Sequence, residues 1–405
     1  MSTTSKLGAA LLLAGTTLAC GSDPVTGTGP GPTNMEPDPM GQGEPMQMAP
    51  VDNGFKPTGE QVQMYMGYIG PALLGRTLSD VENAKLLAEA GPAVKPMLEA
   101  WFAEPGFAEA VRGHMETRLH ASGKLGTVDY NLAGYLVRHI VANKLPWSQV
   151  VTSTTYYDEN DAPLATNDTG APYSAGVLTT RGYLAGNESR FNLSRAHTML
   201  KTFMCRDYPH EDTLQPPVIK DKLKLMFRAS SADDQKVAEA AGGFGNGLAC
   251  YSCHGQFSLH AQPFVKFDKS GVWQASATGL QSMTGQLGEG DNGTLASHWD
   301  SADVAGLEES QWFGTPVANL AAAGGVIAQH DRFRECTLQQ VLELAIGLNP
   351  AYETGIKGLK VDPTFLTEIA GAVKTANPDP SLQELAAAVL ADVRVIATTI
   401  NGMKR

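Results

Sequence analysis

Hydrophobic and polar positions alternate at helical spacing over two long stretches of the chain. The first spans 59–143. Ser79-Asp80-Val81-Glu82 has the form of a capping box, with Ser79 as N-cap and Glu82 reaching back to it. Leu86, Leu87 and Ala90 continue that helix, and Gly91-Pro92 predicts its end. A second apolar helix is expected from Pro96 to Phe102, closed by Pro105-Gly106. Phe107, Val111, Met115 and Leu119 then recur every four residues, one face of a third. The second stretch lies near the C-terminus. Asp362-Pro363 predicts a helix start that runs to about Lys374. Ser381-Leu382-Gln383-Glu384 is another capping box, and Leu385, Val389, Val393 and Ile396 line one face to about Ile400.

Between these stretches the pattern changes. Val150 to Tyr157 is β-branched and aromatic, which predicts a short strand or extended segment, and Asn, Asp, Pro and Gly make 158–176 a loop. Helical spacing returns over Leu193–Cys205. The fold class is therefore mainly α, with long irregular loops and few short strands. The length suggests several units: an N-terminal helical region at 55–205, a middle region at 206–330, and a C-terminal helical region at 331–405.

Residues 1–20 and 21–54 stand apart. Lys6, the apolar run Leu7–Leu18 and then Ala19-Cys20 read as an export signal, too short for a permanent span. Thr17-Leu18-Ala19-Cys20 is similar to a bacterial lipobox, which would lipidate Cys20; the usual Leu at its first position is Thr17 here. Ordinary cleavage after Ala19 is the alternative. Residues 21–54 are rich in Pro, Gly and Met, the composition of a disordered linker. Met35, Met40, Met46 and Met48 offer soft ligands for copper(I), but compositional drift explains them more simply.

The candidate chemistry is concentrated in Cys250-Tyr251-Ser252-Cys253-His254. Two cysteines two residues apart, followed at once by histidine, form the attachment sequence for c-type haem. Each thiol adds to a porphyrin vinyl group, and His254 ligates the iron from below. A redox dithiol would not need the histidine, and a zinc site would need a second ligand pair. Gly242–Gly247 lacks the Lys-Ser/Thr ending of a phosphate loop. Of five cysteines, Cys205 and Cys336 remain; an oxidising compartment would let them pair, and two separately buried thiols is the other reading.

The net charge of −12 argues against nucleic acid or an anionic membrane surface as partner and suits a basic redox protein. The second iron ligand decides between carrier and catalyst. Met283 is the first choice and His298 the second; His260 and His330 are further options, while Met199, Met204 and Met226 read as core. His114, His120 and His139 read as surface or capping groups. Arg195 and His197 could reach haem propionates, with a surface role as the default. No Ser-His-Asp order or carboxylate pair stands out.

Several patches together resemble the planctomycete-type cytochrome c family, exported bacterial haem proteins built from modules of unknown function. They are Leu74-Gly75-Arg76 and Glu104–Phe107; Leu145-Pro146-Trp147 with Val150-Val151-Thr152 and Tyr156-Tyr157; Gly176–Thr179, Leu184-Ala185 and Arg195 to Cys205 with Pro216-Pro217; the haem motif followed by Phe267-Asp268, Gly271 and Trp273; and Phe333, Cys336 and Ala345-Ile346-Gly347. The family's Asp-Pro-Leu-Gly turn after the haem histidine is replaced by Ser258-Leu259-His260-Ala261, and its Arg after the last glycine by Leu348. The resemblance implies helical domains around one covalent haem c, and cysteines placed as Cys205 and Cys336 are. The expected function is one-electron transfer outside the cytoplasm to or from a redox partner protein, with membrane contact through a lipid anchor only. The rivals are a haem enzyme with an open iron site and a lipoprotein scaffold with structural haem.

Overall fold

The chain divides between Glu44 and Pro45. In the computed structural model, the described residues belong to the second unit: 46–47, 54–126, 128–188, 192–206, 259–275, 308–347, 359–360 and 363–403. They are mainly helical, with a few two- and three-residue strands.

Four helices open the unit. α1 (Gly59–Leu74) starts in a capping box between Thr58 and Gln61 and buries Val62, Tyr65, Met66, Ile69 and Leu73. α2 (Asp80–Glu89) carries the Ser79–Glu82 box. Glu82 also accepts Trp101 Nε1 at 2.6 Å and pairs with Arg76 at 2.8 Å, and Arg76 pairs in turn with Glu104 at 2.6 Å. These bonds tie the α1–α2 turn to the end of α3 (Gly91–Trp101). α3 corrects the predicted start at Pro96. Gly91-Pro92 does not merely end α2; it opens the next helix, with proline in the first turn, where its missing N–H costs nothing, and Pro96 lies inside. α4 (Pro105–Leu119) buries Phe107, Val111, Met115 and Leu119 on one face and packs on α5 (Leu132–Ala142).

The predicted strand at 150–157 is half right. Gln149–Thr152 is a helical turn, α6; only Tyr156–Tyr157 (β4) is extended, paired antiparallel with Pro163–Leu164 (β5). Two other pairs precede or surround it: Met46–Gln47 (β1) parallel to Leu359–Lys360, and Lys124–Leu125 (β2) with Val128–Asp129 (β3). After α7 (Arg181–Gly186) and α8 (Leu193–Met204), a hairpin of Ser310–Trp312 (β6) and Thr315–Val317 (β7) leads to α9 (Leu320–Gln329).

α10 (Asp331–Ile346) is the central helix. It packs against α1, α8, α11 (Pro363–Ala376) and α12 (Leu382–Leu390), and ends at Gly347, whose φ of 68° is the left-handed cap that glycine adopts without strain. Trp147 joins this centre to α12: its ring N–H donates to Thr337 Oγ1 at 3.0 Å and its backbone N–H to the Pro380 carbonyl at 2.9 Å. The last predicted helix is two. α12 stops at Leu390 and α13 (Val393–Met403) follows at 61°. Asp392 Oδ1 accepts the Arg394 N–H at 2.8 Å and starts a new helix, which turns Val393 outward, 37% exposed, rather than onto the apolar face.

One apolar core runs from Val62 on α1 to Ile400 on α13. Among the described residues no single helix is long and apolar enough to cross a membrane.

Candidate functional site

Cys20, Met226, Cys250, Cys253, His254, Met283 and His298 lie outside the described residues. The chain on either side of the Cys-x-x-Cys-His segment is described, and it is held by side-chain bonds at each flank.

On the upstream side, Cys205 and Cys336 form a disulfide with a Cα–Cα separation of 5.2 Å, within the range that bridging requires. Cys205 is the C-cap of α8 and Cys336 is buried midway along α10. Arg332 lies across the same helix end. Its Nε donates to the Met204 carbonyl at 3.0 Å and its Nη2 to the Cys205 carbonyl at 3.4 Å, satisfying acceptors that α8 leaves open.

On the downstream side, the Leu259 carbonyl accepts two side-chain bonds from the β6 strand, Ser310 Oγ at 2.5 Å and Trp312 Nε1 at 3.0 Å. The next residue, His260, sets its ring 5.5 Å from Trp312 and 5.2 Å from Phe313. Phe313-Gly314 is the two-residue hairpin turn, with φ of 48° and 82°. Such primed turns match strand twist but favour Asn-Gly; a phenylalanine in the left-handed region costs roughly 1–2 kcal/mol. The ring has contacts that hold it there. His330 meets it edge-on at 4.9 Å, and the Arg206 guanidinium lies over it at 5.9 Å. Arg206 and His260 flank the Cys-x-x-Cys-His segment on opposite sides in sequence and reach the same ring.

His330 caps α10: its Nδ1 accepts the Arg332 N–H at 3.1 Å. In the neutral ring the proton therefore sits on Nε2, which then has no lone pair for iron. Burial, then Arg206, lower its pKa from the usual histidine value. Burial, then Arg332, lower that of Arg206. Met199 and Met204, the upstream thioethers within the described residues, are buried in the apolar core.

Arg195 overturns its expected surface role. It is fully buried, and its guanidinium donates to the Leu184 carbonyl, Asn192 Oδ1 and the Phe267 carbonyl, each at 2.8 Å, and to the Asp268 carbonyl at 2.5 Å. Burial pushes its pKa down to about 10. Two of its targets, Phe267 and Asp268, belong to the turn Phe267–Trp273, whose ends form an antiparallel bridge. Asp268 Oδ1 accepts the N–H groups of Ser270 and Val272 inside that turn, at 2.9 Å each. Gly271 has φ of 76°, and a Cβ there would lie 2.9 Å from Leu184 Cβ. The Phe-Asp, Gly and Trp of the family-like patch are thus a turn clamped by an arginine far upstream. Beside it, Glu308 accepts the Tyr173 hydroxyl and pairs with Lys266 at 3.6 Å, and Lys266 lies over the Trp273 ring at 5.2 Å. Burial raises the pKa of Glu308.

Two of the helical histidines are bonded, as surface or capping groups would be. His120 is the C-cap of α4 and bonds Asn187 at 2.9 Å; His139 meets Asp161 at 2.7 Å and stacks on Tyr157. His114 is not a surface group. Its Nε2 is buried with no hydrogen-bond partner among the described residues, in a cleft lined by Met115, Trp147, Leu344 and Leu382. Burial pushes its pKa down to about 4.

Sequence reasoning missed Arg206, Ser310, Trp312 and Phe313. The one available signal was Trp312-Phe313-Gly314-Thr315, an aromatic–glycine turn between strand-forming residues. In comparisons with known proteins, the chain matches no protein-family model, no curated protein and no solved structure.

Proposed function

We propose that the protein is an exported, lipid-anchored monohaem c-type cytochrome that carries single electrons between partners outside the cytoplasm, and that it is a member of the planctomycete-type cytochrome c family. The observation that carries this reading is the pentapeptide Cys250-Tyr251-Ser252-Cys253-His254. Two features of the fold support it. The Cys205–Cys336 bond does not draw on Cys250 or Cys253. The flanks of the motif segment, Arg206 and His260, both reach the Phe313 ring, partly exposed aromatic surface of the kind a porphyrin edge packs against.

Cys250 and Cys253 would hold the haem through thioethers, and His254 would ligate its iron. Bound there, haem c supplies a reversible one-electron couple. Among the described residues, Met199 and Met204 are packed in the core and His330 is held in its cap. That supports Met283, then His298, as the second ligand. Cys20 would carry the lipid.

The decisive measurement is haem content by pyridine haemochrome after expression with a c-type maturation system. One covalent haem per chain is expected, lost in Cys250→Ser/Cys253→Ser; a haem-free wild type would sink the reading. A low-spin spectrum unmoved by carbon monoxide on the reduced protein fits a carrier, whereas carbon monoxide binding identifies the open-site enzyme. Met283→Ala should abolish the far-red sulfur-to-iron band. Cys20→Ser should release the protein from membranes.

A further inference from the structure

Arg206 and His330 sit together on the Phe313 ring, and among the described residues each keeps donors without a hydrogen-bond partner. The Arg206 guanidinium makes a cation–π contact at 5.9 Å and has no carboxylate partner among the described residues. His330 spends Nδ1 on its cap, which leaves Nε2–H as a donor at the edge of the same ring, 4.9 Å between centroids. Among the described residues, Glu335 is the carboxylate that acts on Arg206, and only at a distance. Arg332 is a second cation nearby, and its carboxylate, Glu335, is taken at 3.1 Å. Asp331 is shared between Lys374 at 2.7 Å and Arg334 at 3.3 Å. In a chain of net charge −12 the described residues here carry a local excess of positive charge beside aromatic surface. It has the donor set for a carboxylate on a flat apolar ligand: a planar fork, a neutral imidazole N–H and a ring to stack on.

We infer that Arg206 and His330 form a carboxylate-binding pair, and that their ligand is a propionate of the haem carried on the segment that begins at the next residue. The inference rests on the cytochrome reading above. It replaces Arg195 in that role, because the Arg195 donors are already committed to Leu184, Asn192, Phe267 and Asp268.

The test uses the full-length, haem-loaded protein. Removing a cation near the haem favours the ferric state, so Arg206→Gln should lower the midpoint potential, shifting the oxidation equilibrium roughly three- to tenfold. It should also move the pH-dependent step of the potential upward, as the propionate loses its counter-ion. Arg206→Lys should restore most of the potential. His330→Asn keeps an N-cap for α10 but removes the Nε2–H, and should shift the potential in the same direction by less. Haem content and circular dichroism establish that each variant is loaded and folded. An unchanged potential and pH step in a loaded Arg206→Gln protein overturns the inference. If the potential is unmoved but Arg206→Gln abolishes phosphate binding seen by 31P NMR in the wild type, the pair serves a free anion instead, and the propionate assignment is wrong. A wild type without haem fails the cytochrome reading itself, which haem content shows before any potential is measured.

Discussion

Arg195 gives the sharpest test of how the region downstream of the motif is held. Its four bonds reach three carbonyls and one amide oxygen on Leu184, Asn192, Phe267 and Asp268. Lysine keeps the charge but is a single ammonium, unable to span acceptors on three separate segments. Arg195→Lys therefore loses at least two charge-assisted bonds at about 1.5–3 kcal/mol each. It escapes part of this by losing its proton, at a cost of about 4–5 kcal/mol at pH 7. The expected destabilisation is about 3–5 kcal/mol, a large share of the roughly 5–15 kcal/mol that holds a domain together. Methionine orphans the same acceptors but also relieves the cost of burying the guanidinium. That cost, read from the pKa pushed from 12.5 to about 10, is on the order of 3 kcal/mol. Lysine, the conservative replacement, should thus be the worse of the two. Denaturant midpoints measured with intact disulfide, together with hydrogen exchange over 265–273, check this. Lysine tolerated within about 1 kcal/mol, with protection of that turn unchanged, would refute the reasoning.

Other outcomes follow from single contacts. Opening Cys205–Cys336, with a sequence separation of 131, should cost about 2–5 kcal/mol, toward the upper end on the loop-entropy account, measured as the denaturant midpoint with and without reductant. Gly176→Ala forces a side chain at φ of 53° with its Cβ 2.2 Å from the Val150 carbonyl oxygen, and should cost at least about 2 kcal/mol and lower the melting temperature. His114 is buried with a folded pKa of about 4 against 6.5 in the open chain, so the unfolded state takes up its proton first. Its contribution is whole above pH 6.5 and is lost as pH falls to about 4; His114→Leu should remove that part of the stability–pH slope in denaturation curves. Glu82 is held well below the usual carboxylate range, chiefly by Arg76, so its contribution is present above its unfolded pKa and lost in acid; Glu82→Gln should flatten the acid limb of the same curve.

Local chemistry was legible in the sequence and distant chemistry was not. The capping boxes at Ser79 and Ser381 and the Phe107–Leu119 face depend on residues three or four apart, and they stand where the pattern put them. The Val393 misreading is also local: Asp392 competes with helix continuation through its side chain, and the apolar period hid it. Arg195 failed for a different reason. A charge on an amphipathic helix reads as solvated, and its Phe267 and Asp268 partners are backbone carbonyls far along the chain, which leave no trace in residue type. The same holds for Leu259, gripped through its carbonyl by Ser310 and Trp312. The haem reading of Cys-x-x-Cys-His, which lies outside the described residues, rests on the sequence alone, where attachment chemistry would fix both residue types and spacing.

The disulfide also has a consequence for assembly. On the export proposed above, Cys205, Cys250, Cys253 and Cys336 would enter one oxidising pool, and four thiols can join in three complete pairings. Every bond that draws on Cys250 or Cys253 would block the proposed addition of that thiol to a haem vinyl group. Docking of α8 against α10 brings Cys205 and Cys336 to 5.2 Å between Cα atoms and withdraws both from that competition. The helical body thereby sorts its own thiols, and a body that cannot close, as in Cys336→Ser, is expected to mature with less haem because Cys205 is left to trap the attachment cysteines.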